Sequence, residues 1–154
     1  MKKKYKLPLA LLSFGICALL LLNCGTSKET LNISASEKEA FEKIEGDTIS
    51  ISSDKTEYEI IIIEPGFNAW LNSIAKPEGY YSQNFLEGRN NIMVLEWNRR
   101  VLDPSRFNSN LYELQIDYRQ GIDYGYEVNY KLYNYFIYFQ RKYNQRLGPF
   151  IPRI

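Results

Sequence analysis

Histidine is absent from all 154 residues, which removes the commonest general base and the commonest metal ligand near neutral pH. Ser-His-Asp catalysis, Cys-His catalysis and His-rich zinc sites are therefore excluded. Cysteine is scarce, with only Cys17 and Cys24, and the two do not form a paired-cysteine zinc motif. No glycine-rich phosphate loop, nucleophile elbow or twelve-residue calcium loop occurs. An excess of one charge is lacking as well: 19 basic residues stand against 18 acidic ones, so no strong attraction to nucleic acid follows. Neither a cofactor nor a metal is expected.

What is present begins with a leader. Lys2, Lys3, Lys4 and Lys6 precede a leucine-rich apolar stretch from Leu7 to Leu22, the composition of a secretory signal. The stretch is shorter than the roughly 20 apolar residues that span a bilayer, and Pro8 lies near its start. It closes on Leu21-Leu22-Asn23-Cys24, which resembles a bacterial lipobox, with Asn23 departing from the usual small residue. The resemblance implies cleavage before Cys24 and a covalent lipid on its sulfur and amine, including acyl chains such as palmitate. One acyl chain holds a protein to a membrane only marginally, at about 0.8 kcal/mol per methylene, so the multiple chains of a lipoprotein supply stable attachment. The alternative is an ordinary cleavage site followed by a free thiol. Gly25 stands where an inner-membrane retention signal would place aspartate. The expectation is thus an outer-membrane lipoprotein of the cell envelope, facing the periplasm.

Residues 24–154 then carry no thiol beyond the lipidated one. Subtracting the four leader lysines leaves 15 basic against 18 acidic residues. From Gly25 to Glu45 the chain is rich in Ser, Thr, Lys and Glu, too polar to offset its ordering entropy. The expected organisation is a signal peptide at 1–23, a lipid-anchored tether at 24–45, one globular domain at 46–148 and a tail at 149–154. A short helix from Glu37 to Ile44 is compatible with the tether.

Alternation in Thr48–Ser52 and a β-branched run in Tyr58–Ile63 read as two strands of a hairpin, the second buried on both faces. Pro65 then opens a short helix carrying Phe67, Trp70, Leu71 and Ile74 on one face and ending near Ala75. Ser82 is a candidate N-cap for a helix from Gln83 to Leu102, with Phe85, Leu86, Arg89, Met93, Trp97 and Val101 along one side. Tyr112, Leu114, Ile116 and Tyr118 alternate with polar residues, as in a third, half-buried strand. Val128, Leu132, Phe136, Phe139 and Tyr143 mark the core face of a last helix, and Lys131, Arg141, Lys142 and Arg146 its wet face. The expected fold is α+β: a small, mostly antiparallel sheet with about three helices packed on one face.

Three patches could carry chemistry, and each also has a purely structural account. Glu64 lies at a strand-to-helix junction near Trp70, where loops often hold functional groups. Arg99 and Arg100 could grip a carboxylate or phosphate, although Glu96 is placed to pair with Arg100 along the helix. Asp117, Asp123 and Glu127 interleave with Tyr118, Tyr124 and Tyr126. Two carboxylates in unlike environments beside aromatic rings are what glycoside hydrolysis uses. Tyrosine is abundant, 13 in all; a large ring with a polar tip also suits the core of a thin domain.

The segments Tyr58–Phe67, Met93–Asn98 and Asn134-Tyr135-Phe136, within residues 57–146, resemble a family of small Bacteroidota envelope lipoproteins. The resemblance implies no particular activity. The leading expectation is a non-enzymatic binding or structural module of the envelope, bound to the membrane through its lipid, with an envelope protein or glycan as its partner. The alternative is a histidine-free glycan hydrolase using the Asp/Glu-Tyr patch.

Overall fold

The computed structural model describes residues 31–43, 48–53 and 58–154, with the backbone alone at 48–53 and 58–63. The leader and Cys24 lie outside the described residues. The compact body runs from Leu31 to Ile154.

Helix α1, Ala35–Glu42, starts with a capping box. Ser34 Oγ accepts from the Glu37 amide at 3.2 Å, and the Ser34 amide donates to Glu37 Oε2 at 3.1 Å, which satisfies two donors that a helix start leaves free. Strands β1, Thr48–Ser53, and β2, Tyr58–Ile63, pair antiparallel with Thr48 opposite Ile63 and Ser53 opposite Tyr58. Whether β2 is buried on both faces lies outside the described side chains. Helix α2, Phe67–Ser73, follows Gly66, whose φ of 84° is left-handed. A Cβ at residue 66 would meet the Ala40 carbonyl oxygen at 2.4 Å, so glycine permits both the turn and the close approach of α1 to α2.

Helix α3, Gln83–Val101, is capped by Ser82, whose Oγ accepts from the Phe85 amide at 3.3 Å. Helix α4, Tyr126–Lys142, is the axis of the body, and residues from Val128 to Arg141 are buried on nearly every side of it. Such all-round burial marks a central helix. α2 and α3 pack against α4, and α1 packs against α2. Trp70, Phe136, Tyr138, Phe139, Leu86 and Leu132 are almost completely buried. The rings meet mostly edge to face: Trp97 and Phe139 at 4.8 Å, Tyr112 and Phe139 at 5.5 Å, Trp70 and Tyr138 at 5.7 Å. No helix among the described residues is long and apolar enough to cross a membrane.

The architecture corrects the expected α+β fold. Four helices among the described residues build the body around α4, and the strands described are a single two-stranded hairpin whose β1 packs on α4, so the helices gather about α4 rather than on one face of a sheet. The expected third strand does not form. The Leu114 carbonyl accepts from Trp97 Nε1 at 2.9 Å, while Asn98 grips Ile116 at both its amide and its carbonyl, at 2.8 and 2.9 Å. Side chains of α3 thus take the backbone groups that a neighbouring strand would have paired. Leu114 is also 79% exposed, which breaks the inward alternation.

Two expected boundaries move as well. From Asn32 to Glu42 the chain is part of the body, because Glu37 is fully buried against Arg141. Arg141 Nη2 donates to Glu37 Oε2 at 2.7 Å and to the Asn32 carbonyl at 2.9 Å. The expected tail is fastened too: Pro152 is buried and its carbonyl accepts from Arg141 Nη1 at 2.8 Å. Arg141, expected on the wet face, is therefore one of the best-buried charges in the body.

Candidate functional site

The carboxylates singled out in the sequence are each engaged locally. Glu64 Oε1 accepts from Lys142 Nζ at 2.8 Å and from the Tyr143 hydroxyl at 2.7 Å. Asp117 forms an exposed two-pronged pair with Arg119 at 2.9 and 3.1 Å. Asp123 accepts from Gln83 Nε2 at 2.8 Å and from the Gly125 amide at 2.9 Å, the latter fixing the entry to α4. Glu127 pairs with Lys131 one turn on.

The aromatic and basic candidates are equally occupied. Trp70 is fully buried in the core rather than flooring a pocket beside Glu64. Its indole N–H lacks a hydrogen-bond partner of normal geometry among the described residues, yet it helps to lower the pKa of Glu37. Burial pushes that pKa up, and the hydrogen bonds and charge of Arg141, with the Ser34 amide, more than reverse the effect. Arg99 grips Glu96 with two bonds of 2.8 Å, and Arg100 takes Glu96 Oε1 at 2.8 Å and the Tyr112 hydroxyl at 2.7 Å. The hydrogen bond from Arg99, followed by that from Arg100, brings Glu96 down to about 2 despite partial burial. Tyr126 receives the Gly79 amide at 2.6 Å, and Tyr124 receives the Arg119 amide at 2.9 Å.

Tyr118 belongs to a buried polar seam between α3 and α4. Its hydroxyl donates to Asn129 Oδ1 at 2.6 Å, and Asn90 Nδ2 donates to the Asn129 carbonyl at 3.0 Å. Burial raises the Tyr118 pKa well above the ordinary phenol value. Asn90 and Asn129 are both completely buried, so the seam fixes how the two helices register.

A concave site lies elsewhere. Between α3, α4 and the segment after Gly148 is a cavity of about 180 Å³. Met93, Ile137 and Leu147 give it an apolar floor, while Tyr81, Phe85 and Tyr133 form an aromatic wall. Tyr81 stacks on Phe85 with centroids 4.7 Å apart, and Tyr133 meets both edge to face at 5.3 and 5.9 Å. Burial raises the Tyr133 pKa, with neighbouring Tyr81 adding to it.

Arg89 enters this cavity. Its guanidinium carbon lies 3.3 Å from the Phe150 centroid and 5.1 Å from that of Phe85. Nη1 is buried and has no hydrogen-bond partner among the described residues. An unmet buried donor costs about 1–3 kcal/mol. Arg153 adds a second cation to the lining and Gln140 a neutral polar group, and no acid among the described residues borders the cavity. Arg89 is legible in the sequence only as a charge in line with Phe85 and Met93 on a helix face, a clash of chemistry and position that the periodic reading passed over. None of Glu64, Asp117, Asp123 or Glu127 borders the cavity. Among the described residues, no group of three or more acids or thiols is placed to hold a metal.

Fold and site together define a small helical body built around one buried helix, with an aromatic cavity bordered by Arg89 and Arg153 on its side. The chain belongs to the family of unknown function DUF6146, whose model matches residues 11–150. No curated protein and no solved structure matches it.

Proposed function

We propose that this chain is a lipid-anchored envelope protein whose body is a non-catalytic binding module, with the cavity beside Arg89 as its binding site. The basic leader and Leu21-Leu22-Asn23-Cys24 support the anchoring; an outer-membrane position facing the periplasm follows from the same reading. The observation that carries the binding reading is the cavity itself, where aromatic and apolar side chains share the lining with Gln140, Arg89 and Arg153, the mixed make-up of a small-molecule site. Its volume of about 180 Å³ is that of a one-ring ligand, since an engineered apolar cavity of about 150 Å³ takes up benzene. The glycan-hydrolase alternative has no comparable support, because its four carboxylates are committed to separate local partners.

The body offers a direct reporter. Met93 lines the cavity, and Met1 is the only other methionine. In the full chain carrying Cys24→Ala and methyl-labelled methionine, titration with benzyl alcohol is expected to shift the Met93 signal saturably and leave Met1 in place. A Met93 signal that stays put up to the solubility limit of the probe refutes the binding site. For the anchor, a fatty-acid analogue fed to cells should label the wild-type chain and not Cys24→Ala; label on both overturns it.

A further inference from the structure

The exposed side of α3 carries a row of five residues whose spacing is that of a coiled-coil seam. Gly88, Ile92, Leu95, Arg99 and the capping residue Leu102 follow one another at intervals of four, three, four and three, the a/d pattern that keeps positions on one line of a helix. Leu95 is 75% exposed, Leu102 73% and Ile92 38%, so the line presents large apolar side chains to water. We infer that α3 pairs with α3 of a second copy of this chain, antiparallel, about a two-fold axis at Leu95. The pairing is independent of the cavity.

Size and charge select a second copy as the occupant. A glycine inside a helix costs stability relative to alanine, and where it persists it usually answers to packing. Gly88 has no such cause among the described residues, since a Cβ there would meet nothing within 4 Å beyond its own helix. At 1.5 Å per residue, Gly88 and Leu102 lie about 10 Å on either side of Leu95. A second α3 running the opposite way therefore sets Leu102 of one copy level with Gly88 of the other, a knob over a hollow, twice by symmetry, while the two Leu95 side chains meet on the axis. A two-fold interface is self-complementary in this way. Arg99 is the one charge in the row, and Glu96 of the same chain holds it with two bonds of 2.8 Å, so the copies approach without opposing unpaired cations. A seam about 21 Å long on one helix is smaller than the roughly 800 Å² per partner of a standard interface, which makes the pairing reversible rather than obligate.

The test uses the full chain with Cys17→Ala and Cys24→Ala in detergent, with one cysteine added at a time and a mild oxidant. A disulfide forms only where Cα atoms come within about 4.4–6.8 Å, a separation that two packed helices provide at the axis. Leu95→Cys is expected to link to its partner at least about tenfold faster than Glu39→Cys, whose position on α1 is exposed and off the seam. Gly88→Cys and Leu102→Cys should link to each other when the two chains are mixed, and not each to itself. Gly88→Leu placed in the Leu95→Cys chain fills the hollow and should slow the linking about tenfold. Its urea midpoint should stay level or rise, because leucine is the better helix former, and that second reading shows the chain folded. Equal rates for Leu95→Cys and Glu39→Cys, as association through the apolar leader would give, overturn the pairing. Self-linking of Gly88→Cys overturns the antiparallel sense. A Leu95→Cys chain that stays unlinked at its highest soluble concentration leaves the row to a different partner and overturns the inference.

Discussion

Glu37→Gln isolates the charge of the buried pair that fastens α1. Glutamine at this third helical position still completes a capping box, so the Ser34 contacts survive and only the negative charge is lost. Glu37 is fully buried, and the Arg141 side chain is 6% exposed. The substitution therefore leaves a guanidinium out of water and without its counter-ion. Removing one partner of a buried pair costs about 3–5 kcal/mol; with the Asn32 and Pro152 carbonyls still accepting from Arg141, the lower end applies, about 3 kcal/mol. At a urea slope of about 2 kcal/mol per molar, the unfolding midpoint should fall by roughly 1.5 M. The double variant Glu37→Met with Arg141→Met should recover part of that loss, because an apolar pair replaces the unpaired charge while the Asn32 and Pro152 carbonyls lose their donor. A single-variant loss below about 1 kcal/mol, or a double variant as unstable as the two singles combined, would refute the assignment of this energy to an unpaired buried charge.

Two further outcomes are expected. Glu96 is held down to about 2 from an ordinary 4.5. A depressed carboxylate stabilises the fold above its unfolded value and loses that contribution as pH falls through the folded one. The shift alone corresponds to about 3 kcal/mol, reduced to about 2 because Arg99 is half exposed and screened. Glu96→Gln should cost that amount at neutral pH, and the gap between variant and wild type in urea unfolding should narrow steadily below pH 4.5; a gap independent of pH contradicts the reasoning. Gly66→Ala combines a left-handed φ of 84° with a Cβ placed 2.4 Å from a backbone oxygen, so a loss of about 3 kcal/mol in thermal or urea unfolding is expected, and a neutral substitution argues against the close approach of α1 and α2.

Helices α3 and α4 were legible because their burial follows their own period. Ser82 caps α3 as its position suggests, and Val128, Leu132, Phe136 and Phe139 are nearly inaccessible. Residues 112–118 misled because strand-like alternation needs only that alternate residues turn inward. Tyr112 and Tyr118 do so, but hydrogen bonds from Trp97 and Asn98 then hold the backbone irregular. Helix α1 read as tether because its apolar content is low. What docks it is a charge more than a hundred residues away, which no local window contains. The burial of Arg141 is hidden for the same reason: a basic residue near a helix end normally faces water. At the candidate site the sequence offered acids and tyrosines, and folding spent them on caps, latches and the polar seam. The cavity draws on two helices and a distant segment, so its residues share no spacing.

Arg141 has a consequence for how this body opens. One planar fork holds Glu37 and the Asn32 carbonyl from the first described segment, and the Pro152 carbonyl from the segment that borders the cavity. The fork cannot turn to follow α1 without withdrawing from Pro152. Departure of α1 removes the counter-ion of the guanidinium, and departure of the other segment removes one of its acceptors, so each segment is held more firmly while the other is docked. The two segments, remote in sequence, thereby form one cooperative unit that undocks as a whole, and the wall of the cavity at Phe150 to Arg153 is only as firmly shut as α1 is seated.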